Sequence, residues 1–215
     1  MTKMRLRTAG VALASAALLL TGVSAGRAEP AAGPEAFQIL RLSAELARAG
    51  RDRRDPWALA TAARLRRETP LQFVAREGAD SPDNAWDASD AWLDEAMALG
   101  GSDPRLASFV EDVRAITFKG RQGGPKVSTA RLGAGLSHRF GESFEAGRPA
   151  VVFLEGDGDT DLSLSVKGPN GQTACSDSSP GDVKLCAWTP ERRGGYAVEV
   201  LNRGRVANRY ALATN

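Results

Sequence analysis

Apolar positions change their period once along this chain, near residue 120, and the change predicts two kinds of structure. Before it the spacing is helical. Phe37, Leu40, Ala44 and Ala47 recur at three- and four-residue steps and predict a first helix with Gly50 as its stop. Asp55-Pro56 is a start signal: the carboxylate caps, and the proline lacks an N–H only where none is needed. Leu59, Ala62 and Leu65 form the face behind it. A third helix is predicted from about Pro82 to Leu99, with Ala85, Ala88, Trp92, Ala96 and Leu99 on one side and Gly100-Gly101 at its end. Asp103-Pro104 starts a fourth, which buries Leu106, Phe109, Val110 and Val113. Helix, glycine, Asp-Pro, helix thus occurs twice, as two helical hairpins that either pack as four helices or form a degenerate interaction repeat.

After the change the period is two. Leu162-Ser163-Leu164-Ser165-Val166 alternates apolar and small polar residues, and Gly168-Pro169-Asn170-Gly171 is a turn. Trp188, Tyr196, Val198, Val200, Tyr210 and Leu212 fall on inward positions of the last strands, which puts the rings in the core rather than on a binding face. Lys119-Gly120-Arg121-Gln122-Gly123-Gly124-Pro125-Lys126 has the composition of a flexible linker. The expected fold class is α+β in two modules: four helices over residues 35–118, a linker over 119–126, and an antiparallel β-sandwich of jelly-roll or Greek-key type over 127–215.

The N-terminus reads as a signal peptide over residues 1–25, with Lys3, Arg5 and Arg7 before an apolar run and small residues at Val23-Ser24-Ala25. Cleavage follows Ala25 or Ala28. The mature protein is then expected in the periplasm or outside the cell, without stable membrane insertion. Cleavage after Ala25 removes three cations and no acid from a chain of formal charge +2, so the basic balance belongs to the leader. No nucleic-acid partner is expected from such a charge. Export also bears on Cys175 and Cys186, eleven positions apart between neighbouring strands, which are expected to form one disulfide.

Gly156-Asp157-Gly158-Asp159-Thr160-Asp161-Leu162, the alternating strand after it, Trp188-Thr189-Pro190, Gly195 to Val200 and Asn208-Arg209-Tyr210 together carry a resemblance. Over about residues 127–215 the chain resembles the bacterial pre-peptidase C-terminal (PPC) domain family. The resemblance implies a sandwich that is calcium-stabilised in some members and binds substrate protein in collagenase-associated ones. The family's Asp-Leu-Asp-Leu-Tyr-Val corresponds here to Asp161-Leu162-Ser163-Leu164-Ser165-Val166, with serines replacing an acid and an aromatic.

Asp157, Asp159 and Asp161 alternate as the first ligands of an EF-hand do, but Leu162 and Gly168 stand where that loop needs its glycine and glutamate. Two readings stay open: another oxygen-rich calcium site, or a turn closed by Asx-type hydrogen bonds. Asp83, Asp87, Asp90 and Asp94 share one helix stripe opposite an arginine-rich stretch from Arg41 to Arg67. Either the two neutralise each other, or the stripe binds a cationic partner or divalent ion. His138 is the single histidine, and no triad, zinc or nucleotide motif accompanies it. The expected function is an exported non-catalytic protein whose helical and PPC-like parts bind a protein or glycan of the envelope or the extracellular space. The alternative is a small exported hydrolase using carboxylates and His138.

Overall fold

The computed structural model describes residues 32–81, 88–116 and 123–215. The expected signal peptide, linker residues 119–122, and Asp83 and Asp87 lie outside the described residues. Helices α1 (Pro34–Arg53), α2 (Pro56–Arg67), α3 (Ala88–Gly100) and α4 (Pro104–Arg114) occupy the N-terminal part. Their starts follow the sequence. The Asp55 carboxylate accepts from Trp57 N–H at 3.0 Å and Ala58 N–H at 3.1 Å, and that of Asp103 from Arg105 N–H at 2.9 Å.

Gly50, expected as a stop, lies inside α1, which continues to Arg53 and ends on Arg54 in the left-handed region at φ 53°. Packing explains that glycine. A Cβ there would stand 3.0 Å from Leu59 Cγ and 3.1 Å from Leu59 N, so its absence lets α1 and α2 approach. Leu59, Ala63, Trp92, Leu93, Leu106 and Val110 fill the space between the helices. Leu65 and Phe109, expected as core, are only half buried.

The strands are β1 (Gln72–Phe73), β2 (Lys126–Leu132), β3 (Ser137–Phe144), β4 (Ala150–Gly156), β5 (Leu162–Lys167), β6 (Thr173–Asp177), β7 (Val183–Trp188), β8 (Gly194–Asn202) and β9 (Asn208–Thr214). They form two sheets, β1-β2-β9-β4-β7 and β3-β8-β5-β6. Apart from the short parallel β1–β2 pair, neighbours are antiparallel. Inward residues of the two sheets, among them Val152, Leu154, Leu164, Val198, Tyr210 and Leu212, make the sandwich core.

Two features depart from separate modules joined by a spacer. The outer face of the five-stranded sheet is apolar as well, and Phe37, Leu40 and Ala44 of α1 cover it against Val127, Val151, Phe153 and Ala213. Strand β4 is therefore buried along its whole length, which accounts for its unbroken Ala-Val-Val-Phe-Leu run. The described end of the expected linker is packed too: Gln72 N–H donates to Pro125 O at 2.9 Å, a Cβ on Gly124 would run into the Pro70 carbonyl, and Lys126 already belongs to β2.

Residues 74–81 then run as a strap along the side of the sandwich between β2 and β3. Val74 and Asp80 donate their N–H groups to Val127 O (2.8 Å) and Thr129 O (2.6 Å). Arg76, only 7% exposed in its side chain, donates to Glu142 Oε1 of β3 at 2.5 Å, Ser128 Oγ of β2 at 2.9 Å and Thr214 Oγ1 of β9 at 2.7 Å. The opposite side is closed covalently by the Cys175–Cys186 disulfide between β6 and β7.

Candidate functional site

The acidic loop lies against α1. Asp157 Oδ1 accepts from Asp159 N–H at 3.3 Å, an Asx turn, and Asp157 Oδ2 from Arg209 N–H at 2.8 Å. Asp161 Oδ1 accepts from Gly181 N–H at 2.7 Å. These bonds turn the carboxylates to different backbone groups, and among the described residues no three acids, histidines or cysteines gather where they could hold a metal ion. The Asp157–Asp159 bond is the Asx turn of one of the two readings of this loop. A charge does reach it from elsewhere: the Arg48 guanidinium of α1 pairs with Asp182, whose side chain is 3% exposed and whose other oxygen accepts from Gly158 N–H at 2.6 Å.

Next to it the ammonium of Lys184 is buried and donates to Ser179 O. Burial pulls its pKa down, and the carboxylates of Asp177, Asp161 and Asp182 oppose that pull. Burial also acts on Asp177, upward, but hydrogen bonds from the Ser179 hydroxyl and the Leu185 and Ser179 N–H groups, with the Lys184 charge, hold its carboxyl below the usual range.

Of the acidic stripe, Asp90 pairs with Arg67 and Asp94 with Arg114 at 2.6 Å, while Arg51 reaches Glu95 at 2.8 Å. His138 sits under the strap. Its Nδ1 is 2.6 Å from the Tyr210 hydroxyl and its Nε2 2.9 Å from Glu77 O, so both ring nitrogens are engaged in holding the strap to the sandwich.

A concavity of mixed aromatic, amide and charged lining lies beside the disulfide. A groove of about 570 Å³ is floored by Trp188 at the end of β7 and Tyr196 of β8. Tyr196 is buried, as its inward position requires, but Trp188 is only half buried. Phe144 stands edge-on to both rings, with centroids 5.0 Å from Trp188 and 5.5 Å from Tyr196, and Trp188 and Tyr196 are 5.6 Å apart. The indole is thus held from behind while it fronts the groove. Periodicity could not separate these two rings, because alternation assigns a side and says nothing of where the facing sheet ends.

One wall is the Gly168–Gly171 turn. Gly171 N–H donates to Gly168 O at 2.9 Å, Gly171 takes φ 77°, and Pro169 packs where a Cβ on Gly194 would lie. Asn170 Oδ1 accepts from Gln172 N–H at 3.1 Å, and Asn170 Nδ2 donates to Gln172 Oε1 at 3.1 Å, which fixes the two amides at the rim. The other wall carries Glu191, Arg192 and Arg193. Arg193 pairs with Glu145 at 3.3 Å, both well exposed, and Arg192 has no ion pair among the described residues.

No protein-family model matches the chain, and no curated protein sequence is similar to it. Among solved structures the chain is similar to PliG of Aeromonas hydrophila, a periplasmic inhibitor of g-type lysozyme, at 13% identity over 42% of this chain and 86% of that one, with a TM-score of 0.32. It is also similar to the pre-peptidase C-terminal domain of collagenase from Bacillus anthracis, at 9% identity over 42% and 89%, with a TM-score of 0.35. A carbohydrate-binding module of Cellvibrio mixtus lichenase 5A, in complex with cellotriose, is similar at 12% identity over 43% and 79%, with a TM-score of 0.28. Similarity at this level identifies neither a ligand nor a partner.

Proposed function

We propose that the chain is an exported, non-catalytic binding protein whose β-sandwich takes a protein or glycan of the envelope or extracellular space in the Trp188 groove. The observation that carries this reading is the groove itself: an aromatic floor held rigid from behind, with amide and guanidinium groups placed around it, is the composition of a ligand site. The disulfide fits an oxidising compartment. No described helix is long and apolar enough to cross a membrane. The hydrolase alternative relied on His138, whose two nitrogens are committed to Tyr210 and Glu77.

Capture experiments from envelope and culture fluid, with the protein and its Trp188→Ala and Arg192→Gln variants as bait, test the reading. A partner retained by the protein and lost by both variants is expected. Capture indifferent to both variants would place binding elsewhere, and turnover on a hydrolase panel that disappears in His138→Ala would make the protein an enzyme.

A further inference from the structure

The charges lining the groove are lopsided. Asn170 Oδ1 and Gln172 Oε1 each accept one bond within the turn, so the two residues still offer outward the Gln172 NH2 group, the second Asn170 proton and one lone pair on each oxygen. Arg192 and Arg193 add two guanidinium forks. Glu191 is the one carboxylate among the groove's lining residues. The Arg193–Glu145 pair is exposed on both sides, so water and salt weaken it and a ligand can replace it.

Such a site sets two guanidinium groups against one carboxylate, and the Trp188 ring lies among its lining residues. A flat apolar floor suits the C–H face of a sugar ring, rim amides suit hydroxyls, and a guanidinium fork matches a carboxylate with two parallel bonds. We propose that the groove binds a carboxylated saccharide, that is, a chain bearing uronic acid residues, with the pyranose on Trp188, hydroxyls on Asn170 and Gln172, and the carboxylate on Arg192. An acidic peptide would also use the arginines, but it offers the indole face no ring of matched shape. This inference rests on the groove being the binding site.

The test is calorimetric titration of the full chain with oligogalacturonate, with the same oligosaccharide carboxyl-reduced, and with oligoglutamate. Oligogalacturonate is expected to bind, to lose about tenfold or more in affinity on Arg192→Gln or on carboxyl reduction, and to weaken as salt rises. Trp188→Ala should abolish it. Because that variant also disturbs packing against Phe144, the exposed Arg192→Gln and Asn170→Ala variants carry the test if it misfolds. Binding of the reduced oligosaccharide with equal affinity, sensitive to Trp188→Ala, would keep the groove and overturn the uronate. Tighter binding of oligoglutamate would assign the groove to acidic peptide. Absence of oligogalacturonate binding, or binding unchanged in every variant, overturns the proposal outright.

Discussion

At the scale of single residues, the buried charges decide most. Arg66 and Glu155 form an ion pair at 2.7 Å with side chains 6% and 5% exposed, and the guanidinium also lies 4.8 Å from the Trp92 ring centre. Removing Arg66 takes its buried counter-charge from Glu155. Arg66→Ala should therefore cost about 3–5 kcal/mol in urea unfolding. Tyr210 gives a pH dependence. Burial pushes its phenol above the ordinary tyrosine range, with Arg76 pulling it down and Asp80 adding to the rise. Above the ordinary value, about 10, the unfolded chain loses a proton that the folded chain keeps, so this contribution is present at neutral pH and lost as pH rises. Tyr210→Phe is expected to flatten the alkaline limb of the stability profile, and a limb that stays equally steep would refute the assignment. The Arg48 side chain bears on the acidic loop. With the neighbouring Asp182 neutralised by an arginine, the melting temperature should not change between millimolar calcium and chelator; a calcium-dependent rise would support a metal site at Asp157, Asp159 and Asp161.

At the scale of elements, the sandwich has one closure at each side, a disulfide and a strap. Reduction removes the first and should lower stability by roughly 3 kcal/mol, read as a fall in the urea midpoint. A midpoint that reductant leaves in place would show that the crosslink is incidental. The two closures also show what the sequence discloses. Helix starts were legible because Asp-Pro is a local signal, and the disulfide because a chain read as exported with two cysteines leaves little choice. The strap was not. Its anchors, Arg76, Asp80 and His138, gain meaning only beside Glu142, Thr129 and Tyr210, more than forty positions away. The same applies to the groove: Asn170-Gly171 marks a turn, but nothing local says that Arg192 stands across from it.

At the scale of the whole molecule, composition shifts near residue 120 and a core lies on each side of the shift, but a third apolar cluster joins α1 to the sheet. Val127, Val151, Phe153 and Ala213 look apolar to any reader of the chain, but only the fold shows that α1 covers them. Residues 123–215 expressed alone would present that face, with β1 and the strap missing, and are expected to aggregate or to lose the single cooperative transition of the full chain. A soluble, cooperatively folding fragment would instead vindicate the separable modules.

Strand β9 has a further consequence, one of timing. It is the last in chain order of the described elements, yet it lies in the middle of its sheet, paired with β2 on one side and β4 on the other. Until residues 208–214 have been made, β2 has no antiparallel neighbour, and β4 and β7 form an isolated ribbon. Contacts this distant along the chain close slowly, and the five-stranded sheet is completed only after residues 208–214 exist. For the export proposed above, that order would leave this sheet unfinished until its central strand has been made.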